Sequence, residues 1–141
     1  MIAYLDASAL AKHYVEEPGS AAVRNLLQGS LPATSRLTAV EVASALARRC
    51  REGSLLTTDR DQLLRDLSED LTVLYVVELV PVVVARARAL LLRYPLRAAD
   101  SVQLASCLVL REKVESSVLF VAYDQRLLEA GRGEGLDVFD S

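Results

Sequence analysis

Apolar positions follow two rhythms along this chain. Short, almost unbroken aliphatic runs alternate with longer stretches in which apolar residues recur every three or four positions, the periods of buried strands and amphipathic helices. Ile2 to Leu5 reads as a first strand, followed by a short helix over Ala9 to Val15 that Glu16-Glu17-Pro18-Gly19 stops. Ser20 is placed to cap a second helix running to about Gln28, where Gly29 closes it, and Leu31 to Thr34 reads as a short strand. A helix from Leu37 to Glu52 ends at Gly53, and Thr58 or Asp59 caps another through Asp70. Thr72 to Val80 reads as a third strand ended by Pro81, a residue suited to the first turn of a helix over Val82 to Arg93.

Tyr94-Pro95 interrupts the pattern before a helix from Arg97 to Glu112 that is apolar nearly all round and therefore central and buried. Val118 to Ala122 reads as a strand, Gln125 to Ala130 as a short helix and Leu136 to Phe139 as a last strand. Gly131, Gly133 and Gly135 lack the spacing of a phosphate loop and read as turn residues. Apolar strands alternating with helices predict an α/β fold with a parallel sheet covered on both faces.

Composition adds bounds. A chain of 141 residues that is 52% hydrophobic and 25% charged is globular, and its length suits a single domain over residues 1–141. No uncharged apolar stretch approaches a membrane span, and the N-terminus carries no secretory pattern. Cys50 and Cys107 lack metal-ligand spacing and read as buried free thiols, so the expected compartment is the cytoplasm. The net charge of −3 argues against a domain that merely coats nucleic acid. Arg48, Arg49 and Arg51 form one basic group; Arg86, Arg88, Arg93 and Arg97 form another. Each reads either as a solvated helix face or as a phosphate-tracking surface.

Four acids carry the candidate chemistry. Asp6 and Asp124 each follow a strand, where an aspartate is either a helix cap or part of a ligand site at the carboxyl edge of the sheet. Thr38-Ala39-Val40-Glu41 matches a capping box, and the helical wheel sets Glu41 with Ser44, Arg48 and Glu52, away from Val40, Ala43, Ala47 and Cys50. Its alternative role is to point back toward the strand ends. Asp100 shares a helix face with Leu104, Cys107 and Leu108, where an ionised carboxylate needs a partner: Arg97 three residues earlier, or a metal. Converging carboxylates repel unless a cation joins them, and oxygen-only donors favour Mg²⁺ or Mn²⁺ over zinc. The lone His13 reads as a surface or packing residue.

These residues resemble a known family. Tyr4-Leu5-Asp6-Ala7-Ser8-Ala9-Leu10-Ala11-Lys12-His13-Tyr14-Val15-Glu16-Glu17-Pro18-Gly19-Ser20 is similar to the opening of PIN-domain nucleases, especially VapC-type toxins of toxin–antitoxin pairs. The segments around Glu41, Arg97-Ala98-Ala99-Asp100 and Phe120-Val121-Ala122-Tyr123-Asp124 resemble the family's later motifs in order.

The resemblance implies a three-layer α/β/α sandwich around a short, mostly parallel sheet, with Asp6, Glu41, Asp100 and Asp124 as catalytic, metal-binding acids and Ser8 in support. It implies hydrolysis of RNA with one or two Mg²⁺ or Mn²⁺ ions, products with 5′-phosphate and 3′-hydroxyl ends, a small antitoxin protein that buries the site, and a homodimer. One departure matters: many relatives carry threonine or serine where this chain has Ala122, which weakens the case for a second metal position near Asp124. Lys12 and Arg97 are the candidate phosphate contacts, placed by sequence proximity alone. Two other classes stay open, a non-catalytic RNA- or protein-binding domain and a metal-dependent phosphatase. The latter commonly wants an acid where Ser8 stands.

Overall fold

The computed structural model describes residues 1–139. Five strands, β1 (Ile2–Leu5), β2 (Leu31–Ser35), β3 (Tyr75–Val77), β4 (Val118–Val121) and β5 (Asp137–Val138), form one sheet in the order β3-β2-β1-β4-β5. Every pairing is parallel. Helices α1 (Ala7–Tyr14), α2 (Ser20–Gln28), α3 (Leu37–Arg51) and α4 (Thr57–Asp70) supply one core layer, and α5 (Pro81–Arg93), α6 (Ala98–Lys113) and α7 (Gln125–Gly133) the other.

The strand alternation decides which residue faces which layer. Ala3 and Leu5 pack with Leu10, Val23, Val42 and Leu46 on one side, while Tyr4 and Phe120 pack with Leu90, Leu104 and Leu108 on the other. α6 lies against the middle of the sheet, and all eight residues from Gln103 to Leu110 are buried, as its apolar pattern requires. From β1 the chain steps to β2 on one side, while β4 joins β1 on the other. The sheet order therefore reverses between β1 and β4, where a crevice opens at the carboxyl ends of the strands.

Several local expectations change. β3 is three residues long, not nine, because it is an edge strand registered only from Ala33 to Ser35 of β2. Thr72 and Val73 belong instead to the turn closing α4, through bonds from their N–H groups to Glu69 O and Asp70 O. Ser20 is the first residue of α2, not its cap. Gly19 stands at the cap with φ 95°, and the Ser20 hydroxyl accepts from Glu17 N at 2.9 Å and donates to Val15 O, pinning the α1–α2 loop. α4 begins at Thr57 after Leu56 and has no side-chain cap from Thr58 or Asp59. Gly131 and Gly133 lie inside α7, and only Gly135 makes the turn, at φ 82°. Cys107 is buried as expected, but Cys50 is half-buried.

Candidate active site

Asp6 and Asp124 end the two strands that flank the crevice. The Asp6 N–H donates to Val121 O at 3.1 Å, which ties the end of β1 to the end of β4. Both aspartates cap the helices that follow: Asp6 Oδ1 accepts from Ala9 N at 2.9 Å, and Asp124 Oδ1 accepts from Leu127 N at 3.1 Å. Cap and site are therefore not alternatives here. A cap engages Oδ1, and both residues line the same hollow. Ser8 donates to Asp6 Oδ1 at 2.7 Å and steadies that oxygen further.

Glu41 arrives from the second turn of α3. The capping box is not formed, because α3 starts at Leu37, so Arg36 holds the cap position without a side-chain bond and Thr38 lies inside the helix and turns inward. The buried face of α3 is Thr38, Val42 and Leu46, whereas Val40, assigned to the apolar face by the helical wheel, is 67% exposed. This rotation brings Glu41 to the edge of the buried face. Asp100 comes from the first turn of α6, and among the described residues no ion pair joins it to Arg97. The four acids line one hollow of about 300 Å³ together with Ala7, Ser8, Arg97 and Tyr123.

The carboxylates sense one another. Burial pushes Asp6 up to about 7, against bonds from Ala9 and Ser8 that favour its charge, and the charges of Asp100 and Glu41 push the same way. Burial also raises Glu41; its bond from Gln103 opposes that shift and Asp100 adds to it. Asp100 is raised by burial and then by Asp124, while Arg97 and Arg126 pull it down. Among the described residues, no three His, Cys, Asp or Glu side chains stand close enough to cage one ion. Mg²⁺ needs only one or two carboxylates, because it keeps several waters and shares substrate phosphates. The oxygen-only donors fit a hard divalent ion of this kind.

The other candidates separate. Arg97 lines the hollow, but Lys12 does not: its ammonium pairs with Glu17 at 3.2 Å and sits 4.4 Å above the Tyr123 ring. His13 meets Tyr14 edge-on and borders a different depression. A second hollow of about 380 Å³ shares Ala7, Ser8, Glu41 and Arg97 with the first and adds Arg48 and Arg49, so part of each basic group meets beside the acids. Arg86 and Arg93 instead pair with Glu112 and Glu134. Ala122 is buried and brings a methyl, with no hydroxyl, to the end of β4.

The sequence reading passed over Tyr123 and the buried Gln103. The only signal for Gln103 was a lone amide in a helix otherwise apolar all round, a group that has to find partners inside the protein.

An acid-lined crevice at the switch point of a parallel α/β sheet is the architecture of a PIN domain, and the chain belongs to that family: the PIN domain model matches residues 3–133. Among curated relatives it is similar to Ribonuclease VapC45 of Mycobacterium tuberculosis (strain CDC 1551 / Oshkosh). It is equally similar to Ribonuclease VapC49 of Mycobacterium tuberculosis (strain ATCC 25618 / H37Rv). Each is 32% identical over 138 residues, covering 97% of this chain and 94% of the relative. The fold is shared with the crystal structure of VapBC2 from Rickettsia felis bound to a DNA fragment from their promoter, at TM-score 0.67, 12% identity and coverage of 99% and 98%. It is also shared with FitAcB from Neisseria gonorrhoeae, at TM-score 0.66, 18% identity and coverage of 99% and 97%.

Proposed function

We propose that this protein, as one PIN domain over residues 1–141, is a divalent-metal-dependent ribonuclease and the toxin of a toxin–antitoxin pair. The observation that carries the reading is the convergence of Asp6, Glu41, Asp100 and Asp124 on one hollow beside Arg97. The relatives named as VapC ribonucleases support RNA as the substrate, and the VapBC complexes support an antitoxin partner.

Asp6 and Asp100 are the primary holders of Mg²⁺ or Mn²⁺, with Glu41 and Asp124 on the same hollow to share the ion through waters or to hold a second. When bound, such a cation lowers the pKa of a water for attack on phosphorus and offsets charge on the phosphoryl and leaving oxygens. The rest falls to the chain. Ser8 and the Ala9 N–H fix Asp6 Oδ1, Arg97 offers its guanidinium to a phosphate, and Arg48 adds a positive group along the adjoining hollow, where Arg49 is paired with Glu17 at 3.0 Å. Lys12 is a weaker candidate, since reaching phosphate requires it to leave Glu17.

A cytoplasmic site of action belongs to this reading, and no helix among the described residues is long and apolar enough to cross a membrane. Homodimerisation is part of the same reading: Leu79, Val80, Val82 and Val84 are exposed beside the edge strand β3, an apolar surface of the kind that partners cover.

The test is cleavage of a pool of structured RNAs by the purified protein with Mn²⁺, with Mg²⁺ and with EDTA, beside Asp6→Asn. Cleavage that needs both the metal and Asp6 is expected. A second reading, a binding domain with a weakened centre, draws on Ala122; it would be favoured by an absence of cleavage together with calorimetry showing no uptake of either ion.

A further inference from the structure

Gln103 is a buried amide with every hydrogen-bonding direction engaged but one acceptor site. It is 1% exposed, on the third residue after Asp100 in α6. Its Oε1 accepts from the Tyr4 hydroxyl at 2.7 Å. Its Nε2 donates to Glu41 Oε1 at 2.8 Å and to Thr38 Oγ1 at 2.9 Å, which uses both amide hydrogens. Beyond Thr38 the direction of the chain follows from counting hydrogens. Thr34 Oγ1 spends its single hydrogen on Leu5 O at 2.7 Å, so Thr38 is the donor in the 2.7 Å Thr34–Thr38 bond. One path thus runs from the Gln103 amide through two threonines to the carbonyl of the Leu5–Asp6 peptide. The other runs straight to Glu41.

The amide has one workable orientation. Reversed, it would set Oε1 against the acceptor-only carboxylate of Glu41 and against a Thr38 hydroxyl already committed as a donor. Tyr4 enforces the observed orientation from the other end. It is fully buried, packs with Phe120 in the core layer that α6 shares, and does not line the acid hollow.

We propose that Gln103 is a positioning residue for the metal centre, oriented by Tyr4: it holds Glu41 Oε1 so that Oε2 is presented to the cation. The proposal rests on the reading that Glu41 shares a divalent ion. A glutamate on an open hollow otherwise samples several rotamers, and a carboxylate held at one oxygen has less freedom to lose when the other meets an ion. Partners that orient ligands in this way commonly govern metal affinity by about 10- to 100-fold.

Calorimetric titration of the full-length protein with Mn²⁺ tests this, on the wild type, Glu41→Gln, Gln103→Leu, Tyr4→Phe and the Tyr4→Phe/Gln103→Leu double variant, with a thermal melt of each. Gln103→Leu is expected to weaken Mn²⁺ by about tenfold or more. Tyr4→Phe should cause a smaller loss in the same direction, and none beyond that of Gln103→Leu in the double variant, because the Tyr4 proton goes to the amide, and its other hydroxyl partners, Ser35 and Ser106, do not line the acid hollow. In RNA cleavage both variants should need more Mn²⁺ for half-activation while keeping most of the rate at saturation. A purely structural role would lower the melting temperatures and leave Mn²⁺ affinity unchanged, and that result overturns the proposal. An undiminished Tyr4→Phe loss in the double variant overturns the part given to Tyr4. If Gln103→Leu does not fold, Tyr4→Phe decides alone, and wild-type affinity in it is the overturning result. Loss of binding in Glu41→Gln with none in the other variants removes the positioning role and keeps the site. Unchanged binding in Glu41→Gln removes Glu41 from the site, and the proposal with it.

Discussion

Asp6 carries two demands that oppose each other in the absence of a metal. As a cap it is favourable, since Oδ1 takes a helix N–H that would otherwise be unpaired. As a buried carboxylate facing Asp100 and Glu41 it is costly when charged, which is why its pKa stands at about 7 instead of 3.8. Between about pH 4 and pH 7 the folded metal-free protein therefore holds a proton that the unfolded chain has released. Stability must fall as pH rises through that window and level off above it. Asp6→Asn keeps a good cap and removes the charge. In EDTA at pH 8 the variant is expected to be more stable than wild type by on the order of 2–4 kcal/mol, with the difference shrinking toward pH 4. Urea denaturation at pH 5 and pH 8 measures it, and an equal difference at both would contradict the burial of an ionisable Asp6. The same variant should have no metal-dependent cleavage, so a gain in stability would accompany a loss of activity.

At the scale of elements, α7 shows how packing overrides local preference. Glycine disfavours a helix interior, so Gly131 and Gly133 read as turn residues from sequence alone. The helix nonetheless runs through Gly131 to end at Gly133, and both positions take glycine because neighbours come too close for a side chain. A Cβ on Gly131 would stand 3.0 Å from the Phe120 ring, and one on Gly133 would stand 2.6 Å from the Tyr94 hydroxyl. That hydroxyl is held by Glu134, which also binds Arg93, so it cannot simply swing away. Gly133→Ala, which on propensity alone would stabilise a helix, should instead destabilise the protein by about 1–3 kcal/mol. Tyr94→Phe in the same chain should recover part of the loss by removing the obstructing oxygen. Thermal melts of the single and double variants check both points. The short β3 has the same kind of cause: the valine-rich run from Thr72 to Val80 has strand-forming residues throughout, but β2 offers only three places to pair.

At the scale of the molecule, the exposed apolar side chains from Leu79 to Val84 set the expectation for assembly. Light scattering at micromolar concentration should give twice the 15.4 kDa chain mass, and a monomer would count against the homodimer. At this scale, too, sequence and tertiary structure part company. The order of elements, the parallel sheet, the buried α6 and the acids Asp6, Asp100 and Asp124 were all legible in the linear chain. Each leaves a local trace: an apolar run, a 3.6-residue period, a carboxylate at a strand end or on an apolar face. What the chain alone did not decide was how these features meet. The capping reading of Glu41 and the outward face assigned to it both failed, because Thr38 and Glu41 are held by Gln103, which lies more than sixty positions further along the chain, at separations of 65 and 62. Lys12, close to the first acid along the chain, was drawn off by Glu17 and Tyr123, and Glu17 also takes Arg49, while Arg48 was brought to the adjoining hollow from the far end of α3. Periodicity reports which way a side chain points relative to its own element. Only the packing of elements against one another determines which side chains share a site, because that depends on contacts between residues many positions apart.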